Sequence, residues 1–139
     1  MLYAFCQGSC IRVFKNAWFE RFARKQSISD KALMEAITRA ERELIDADLG
    51  GGVIKQRVAR PGQGKSGDFR TIILYRRAER AFFVYGFSKN NRDNIDDDEE
   101  VAFKKAAGYV LELSDTHLAE LIDQKQFTEV HDHGEEIPE

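Results

Sequence analysis

The stretch GGGVIKQRVARPGQGKSGDFRTIILYRRAERAFFVYGFSKNNRDNI, residues 50–95, decides the fold of this 139-residue chain. Its pattern is typical of three consecutive β-strands, each bounded by turn residues and each carrying basic side chains. Because the connections between these strands are short, neighbouring strands must run antiparallel. The stretch therefore predicts an antiparallel sheet at the centre of the protein.

Basic residues are concentrated in the same stretch. Residues 50–92 contain ten Lys or Arg and two acids, residues 93–139 contain fifteen acids and three bases, and the chain has a formal net charge of −3. A basic sheet in an acidic protein favours a polyanionic ligand. On composition alone, a solvated basic face or an interface with an acidic partner explains the charge equally well.

Length and composition fit one globular domain, with 42% hydrophobic and 32% charged residues. The sequence has no apolar run long enough to span a membrane and no signal-peptide pattern at its start, so we expect a cytoplasmic protein. We predict a flexible N-terminal extension over residues 1–11, a single domain over residues 12–130, and a disordered acidic tail over residues 131–139.

Two helices are predicted before the central stretch, after a short first strand over residues 12–15. The first helix is about ten residues long. The second has Ser29 as its N-cap and stops by the glycines at 50–52. The apolar residues at helical spacing are Ala17, Trp18, Phe19, Phe22 and Ala23 in the first helix, and Leu33, Ala36, Ile37, Ala40 and Leu44 in the second.

Two further helices are predicted after the stretch. Five consecutive acids at 96–100 suit a helix N-terminus, and Ser114 caps a shorter second helix. The element order β-α-α-β-β-β-α-α predicts an α+β fold, with a helical hairpin and C-terminal helices packed around a small, mainly antiparallel sheet. The apolar positions of these helices are Phe103, Ala106, Ala107, Val110, Leu113, Leu118, Leu121 and Ile122.

The period of two along a strand assigns the basic residues to faces. Lys55 and Arg57 point the same way, opposite to Ile54 and Val58. In the third strand, the alternation places Phe83, Tyr85 and Phe87 on one face and Phe82 and Val84 on the other. The candidate nucleic-acid-binding face comprises Lys55, Arg57, Arg70, Tyr85 and Lys89, flanked by Arg60, Lys65 and Arg92.

Nucleotide hydrolysis is disfavoured. Residues 59–66, ARPGQGKS, nearly match the phosphate-loop pattern G-x-x-x-x-G-K-[ST], but Ala59 replaces the first glycine and the loop leads into a strand. Without a helix N-terminus, the loop lacks the amide cradle for a nucleotide phosphate. A loop that contacts a nucleic-acid backbone is the better interpretation.

Histidine and metal chemistry are also disfavoured. Residues 1–116 contain no histidine, so a catalytic triad or a histidine-based nuclease is hard to build. His117 suits a surface position, His131 and His133 lie in the predicted tail, and Cys6 and Cys10 have no second pair of ligands. We expect neither a metal nor a cofactor.

The stretch closely resembles RelE/HigB-type toxins of bacterial toxin–antitoxin pairs, and the resemblance covers residues 12–113. The matching elements are the K-x-R strand (Lys55, Arg57), the G-x-x-R start of the next strand (Gly67, Arg70), and the F-x-K-N-x-x-D end (Phe87, Lys89, Asn90, Asp93). The order of strands and helices also matches that family.

The resemblance implies an endoribonuclease that cleaves mRNA in the ribosomal A site and is restrained by an antitoxin. By matching position, Lys55 and Arg57 take the base and phosphate-binding roles, Arg70 stabilises the transition state, and Lys89 holds or protonates the leaving group. Further RNA contacts are predicted for Arg60, Lys65, Tyr85, Asn90 and Arg92.

This chain departs from the family pattern in two places. Some members carry a Tyr and an extra Arg just after the last strand, where this chain has Asn90 and Asp96. Residues 114–130 extend past the usual final helix. Leu118, Leu121, Ile122 and Phe127 could dock on the core, or cover the site that an antitoxin segment would otherwise fill.

Two other functions stay open at this point. A non-catalytic member would use the basic face to bind RNA, the ribosome or only the antitoxin. A ParE-like member would inhibit a protein target such as DNA gyrase, which needs no clustered phosphate-binding face. The basic face therefore favours RNA cleavage over gyrase inhibition.

Overall fold

The computed structural model describes residues 11–60 and 67–131. The predictions for the extension before Ile11, for Lys65 and its loop, and for the tail after His131 lie outside the described residues. The elements are β1 (Arg12–Asn16), α1 (Ala17–Gln26), α2 (Asp30–Glu41), β2 (Ala47–Gly50), β3 (Val53–Val58), β4 (Phe69–Arg76), β5 (Arg80–Ser88), α3 (Asp97–Val110), α4 (Asp115–Asp123) and β6 (Phe127–Val130).

The strands form one six-stranded sheet in the order β2-β3-β4-β5-β1-β6. Neighbouring strands are antiparallel except β1 and β5, which are parallel. A parallel pair needs a crossover, and here the chain between β1 and β5 supplies it with the helical hairpin and three strands. The prediction of an α+β fold with a mainly antiparallel sheet is confirmed.

Helices cover both faces of the sheet and create two apolar cores. The hairpin of α1 and α2 covers one face, as predicted, and α3 and α4 cover the other. Each fully buried large apolar side chain contributes about 1.5–3 kcal/mol to stability. The first core includes Phe19, Leu33, Ile37, Ile54, Val58, Phe69, Ile73 and Phe83. The second includes Phe14, Val53, Ile72, Leu74, Phe82, Phe87, Ala107, Leu111 and Leu118.

Local capping signals fix the helix starts. The side chain of Ser29 accepts a hydrogen bond from the backbone of α2, and Ser114 does the same for α4. Asp96 and Glu99 form a capping box at the start of α3. Each such cap stabilises its helix by roughly 1 kcal/mol. The three predicted helix starts are confirmed.

The end of α2 differs from the prediction. The helix ends at Glu41, and Leu44 is 59% exposed instead of lying in the buried stripe. The buried side chain of Gln56 donates to the carbonyl of Leu44 and accepts from the amide of Asp46, which holds this segment against β3. The glycines at 50–52 all have positive φ, and Gly51 and Gly52 form the turn between β2 and β3. The sequence pattern did not predict strand β2.

A β-bulge corrects the predicted faces of β5. Ile72 pairs with Tyr85 but Ile73 pairs with Phe83, so β5 carries one extra residue at this point. A bulge of this kind reverses the alternation that follows it. Tyr85 and Phe87 therefore share the α3 face with Phe82 and Val84, whereas Phe83 points into the first core.

The C-terminal extension docks on the core. Leu118 is fully buried, and Leu121, Ile122 and Phe127 pack against the second core. Strand β6 pairs with β1 at the edge of the sheet opposite to β2 and β3. The predicted docking on the core is confirmed, and the extension lies away from Lys55. Within the described residues, the helices are too short or too polar to cross a membrane.

A charged cluster lies between β1 and the helical hairpin. Lys15 is only 8% exposed, and its Nζ lies 2.8 Å from Glu20 Oε1 and 3.3 Å from Asp30 Oδ1. The contact with Glu20 is an ion pair without hydrogen-bond alignment, since Glu20 Oε1 accepts no aligned bond. Lys15 and Arg24 hold the pKa of the Glu20 carboxyl below its ordinary value.

Candidate functional site

Three basic residues share the α3 face of the sheet. Arg57 and Arg70 lie directly opposite each other on β3 and β4, and Lys55 lies two residues before Arg57. Directly opposite residues in an antiparallel pair are about 5 Å apart at Cβ, so the side chains of Arg57 and Arg70 leave the sheet from neighbouring positions. The predicted grouping of these three residues on one face is confirmed.

Lys55 is held by a neutral partner. Its Nζ donates a hydrogen bond to Asn94 Oδ1 at 3.0 Å, and Lys55 forms no ion pair among the described residues. Asn94 lies in the loop after β5, and its side-chain oxygen also accepts from the amide of Ile95 at 2.9 Å. The loop therefore fixes the position of the amine without placing a carboxylate beside it.

Arg57 has only a distant acidic partner. Its Nε lies 3.8 Å from Asp46 Oδ2, and its side chain is 44% exposed. The same carboxylate accepts the backbone amide of Arg57 at 2.7 Å, so Asp46 orients the strand more directly than the guanidinium. An exposed pair at this distance leaves most of the guanidinium available to a ligand.

The side chains of Arg70 and Lys89 have no hydrogen-bond or ion-pair partner among the described residues. Arg70 is partly buried and Lys89 is exposed. Lys89 directly follows Ser88, which pairs with Phe69, so both cations lie at the same end of the sheet. We call Lys55, Arg57, Arg70 and Lys89 the cationic cluster.

The opposite end of the same strands is electrically neutralised. Arg76 lies 2.5 Å from Glu112, Arg77 lies 2.9 Å from Glu43, and Arg80 lies 3.0 Å from Asp115. The basic residues of 50–92 therefore fall into two groups. Those at one end of the strands are paired with acids, and the cationic cluster at the other end has almost no acidic partner. Free anions will be attracted to the second end.

Arg92 is engaged within the protein. It lies 2.6 Å from Glu99 Oε1 and donates to the hydroxyl of Tyr85 at 2.9 Å and to the carbonyl of Asn94 at 3.0 Å. The bonds with Glu99 and Tyr85 raise the pKa of Arg92, and the bond with Arg92 lowers the pKa of Glu99. This network ties the loop that carries Asn94 to the start of α3.

The remaining predicted RNA contacts do not all lie together. The guanidinium of Arg60 lies 5.0 Å from the ring centre of Phe69, a residue of the first core, so Arg60 is away from the face of Lys55. Asn90 is exposed in the turn after β5. Tyr85 lies beside Arg92 on the α3 face. RNA contacts at these positions stay predictions.

Two contributors were missed in the sequence. Asn94 and Asp46 contact Lys55 and Arg57, and both come from loops whose position depends on tertiary packing. Asn94 follows the F-x-K-N-x-x-D motif by one residue, and this adjacency is the one signal that points to it. No comparable signal points to Asp46.

The described residues contain no cluster of three or more His, Cys, Asp or Glu side chains that could hold a metal ion. His117 lies on the exposed side of α4, with its ring 6.5 Å from that of Tyr109 in an edge contact.

Comparison with known proteins identifies the family. A search of curated proteins gives no significant match. A family model described as the RelE toxin of the RelE / RelB toxin-antitoxin system matches residues 11–130. The match spans every helix and strand described above and agrees with the resemblance carried by Lys55, Arg70 and Lys89. The chain belongs to the RelE toxin family of toxin–antitoxin systems.

Proposed function

We propose that this toxin is a metal-independent endoribonuclease that cleaves mRNA in the ribosomal A site, and that a co-expressed antitoxin restrains it. The observation that carries the proposal is the cationic cluster, in which Arg57 and Arg70 face each other beside Lys55 with little acidic compensation. Cations placed this closely fit a phosphodiester, whose charge increases in the transition state.

The reaction needs no group outside this cluster. The ribose 2′-oxygen attacks the adjacent phosphorus, the 2′-proton passes to a base, and the bond from phosphorus to the 5′-oxygen breaks. The products are a 2′,3′-cyclic phosphate and a 5′-hydroxyl, which takes up a proton as it leaves. Proton transfer and stabilisation of the phosphorane charge are the two catalytic requirements.

Lys55 suits the role of base. An uncharged amine donates one N–H to Asn94 Oδ1 and keeps its lone pair for the 2′-proton. In this assignment Arg57 binds the phosphate, Arg70 stabilises the phosphorane, and Lys89 holds or protonates the 5′-oxygen.

Primer extension on cellular mRNA tests the proposal. The wild-type toxin and the double variant Lys55→Ala/Arg70→Ala are induced separately, and new 5′ ends within reading frames are mapped. Arg77→Ala is the matched control, since it also removes an exposed cation but from the turn between β4 and β5, at the neutralised end. We expect cleavage with the wild type and the control, and none with the double variant.

Other outcomes identify the competing functions. Growth arrest without new 5′ ends, in both the wild type and the double variant, would point to a protein target. Binding of the antitoxin with neither cleavage nor growth arrest would point to a non-catalytic member. Co-purification of each variant with the antitoxin shows whether it has folded.

A further inference from the structure

A cleft of about 530 Å³ opens between α1 and the end of β5. Trp18 and Phe22 line it on the helix side, and Tyr85 and Phe87 line it on the strand side, with Arg92 at the start of the following loop. Its volume lies in the range of small-molecule sites. The roles assigned above to Lys55, Arg57, Arg70 and Lys89 do not use this cleft.

The cleft results from the way β1 leaves the sheet. Strand β1 pairs with β5 only as far as Lys15 and Phe83, because the chain turns into α1 after Asn16. Beyond Phe83, the edge of β5 faces α1 instead of another described strand. Gly86 lies at this edge, where a Cβ atom would stand 2.6 Å from the ring of Phe22, so its missing side chain lets α1 approach.

The lining combines flat aromatic faces with positive charge. The Trp18 ring stacks on Phe22 at 5.2 Å and contacts Tyr85 at 4.7 Å, yet Trp18 remains 38% exposed. Arg21 and Lys25 also line the cleft, one helical turn apart, and neither has an ion-pair partner among the described residues. No acid is among the described lining residues.

The cleft lies next to the cationic cluster. Phe87 lines the cleft and pairs across the sheet with Arg70. Arg92 lines it as well and donates to the carbonyl of Asn94, whose side chain holds Lys55. A strand of RNA with its phosphate at Arg70 therefore has a neighbouring nucleotide at the mouth of the cleft.

We infer that the cleft binds an unpaired base of the RNA next to the cleaved phosphate, with the base stacked on Trp18 and the adjoining phosphate near Arg21 and Lys25. The inference rests on the proposed function for the position of the strand. Aromatic faces bind any base by stacking, and basic side chains follow the backbone. The aromatic side chains of the cleft match the base of a nucleotide, and its basic side chains, with no acid in the described lining, match the phosphate.

Trp18 is itself a probe, since it is the one tryptophan of the chain. The ligand is a single-stranded oligonucleotide of about eight residues, with 2′-deoxy sugars that cannot be cleaved. An abasic oligonucleotide of equal length supplies the same phosphates without bases. We expect saturable quenching of Trp18 fluorescence by the first ligand and little by the second.

Variants separate stacking from charge. Measured by the anisotropy of a labelled oligonucleotide, Trp18→Leu should weaken binding about tenfold, and Trp18→Phe should restore part of it because a ring is kept. Lys25→Glu should weaken binding and lower its salt dependence. Tyr109→Leu and Lys105→Glu, at exposed positions of α3, are the matched controls and should bind like the wild type. Thermal unfolding confirms that each variant is folded.

Equal binding of the two oligonucleotides without quenching would overturn the inference, as would wild-type affinity in folded Trp18→Leu. Loss of antitoxin binding by Trp18→Leu with RNA binding intact would also overturn it, in favour of a protein-docking cleft. These results are distinguishable from failure of the proposed function. Base-dependent quenching without mRNA cleavage in cells would contradict the nuclease function and support base binding in the cleft. Cleavage in cells, together with equal binding of the two oligonucleotides, would support the nuclease function and contradict base binding in the cleft.

Discussion

Lys55 Nζ donates a hydrogen bond to Asn94 Oδ1 at 3.0 Å, which joins strand β3 to the loop after β5. The partner is an amide and not a carboxylate, so the amine is oriented without an ion pair. The loop is fixed in turn by Arg92, which binds the carbonyl of Asn94 and the carboxylate of Glu99. Asn94 is therefore a positioning residue for the proposed base.

Replacement of Asn94 should reduce cleavage through the position of Lys55. We expect Asn94→Ala to lower the cleavage rate about tenfold to hundredfold, because a misplaced base loses alignment with the 2′-hydroxyl. Asn94→Asp keeps the geometry but replaces the neutral partner of Lys55 with a carboxylate, and an ion pair there competes with the RNA for the amine, so cleavage should also fall. The rate of cleavage on programmed ribosomes checks both variants. Wild-type rates in both would remove Asn94 from the mechanism.

Arg70 should be required for cleavage but should lower the stability of the folded protein. Like charges directly opposite in a sheet destabilise it by up to about 1 kcal/mol, and Arg57 and Arg70 form such a pair. Arg70→Gln should therefore abolish cleavage and raise the free energy of unfolding by about 0.5 kcal/mol in urea titrations at low salt. Arg76→Gln, which loses the contact with Glu112, is the matched control and should not gain stability. A less stable Arg70→Gln would contradict this reasoning.

The stability of the toxin should fall in acid through two glutamates. Lys15 and Arg24 lower the pKa of Glu20, and Arg92 lowers that of Glu99. A glutamate whose pKa is lower in the folded than in the unfolded state stabilises the fold at pH values above its unfolded-state pKa, about 4.3. This stabilisation is lost as the pH falls through the folded-state pKa. Urea unfolding between pH 6 and pH 2 should show the decline. Glu20→Gln and Glu99→Gln should each flatten it, and an unchanged acid limb in both would exclude these groups as its cause.

Lys15 should be more important for stability than for function. Lys15→Ala leaves Glu20 and Asp30 without their shared cation at a partly buried position. We expect a loss of about 2–3 kcal/mol, below the 3–5 kcal/mol of fully buried pairs because both acids are about one quarter exposed. Lys15→Ala/Glu20→Leu should recover part of the loss by removing one of the two carboxylates that Lys15 contacts. Chemical denaturation measures both, and a loss below about 0.5 kcal/mol would mean that solvent already screens the cluster.

Local signals explain how much of this fold could be predicted from the sequence. The helix caps bond to backbone amides only a few residues away, as Ser29, Ser114 and Asp96 do. The alternation of faces in β3 likewise involves adjacent residues, so both features can be predicted from the sequence. Strand β2 has four residues and forms only because β3 lies beside it. Leu44 continued the helical period, although Gln56 holds that segment outside the helix.

The candidate site divides in the same way. Lys55, Arg57 and Arg70 share a face because of strand period and antiparallel pairing, which the sequence contains. The neutral partner of Lys55 and the pairing of Arg92 with Glu99 depend on where distant loops pack, and the bulge that turns Tyr85 leaves no pattern in one strand alone.

Gly86 should determine how closely α1 packs against β5 beside the cleft. In Gly86→Ala the new Cβ would lie 2.6 Å from the Phe22 ring and 3.1 Å from the Phe19 ring, so the helix or the rings must shift. Overpacking of this kind costs about 1–3 kcal/mol, which thermal or urea unfolding will measure. Gly86→Ala/Phe22→Leu should recover most of that stability, because a smaller, more adaptable side chain makes room for the methyl group. If Gly86→Ala alone is as stable as the wild type, then α1 adjusts freely at this point and its contact with β5 is looser than the ring distances indicate.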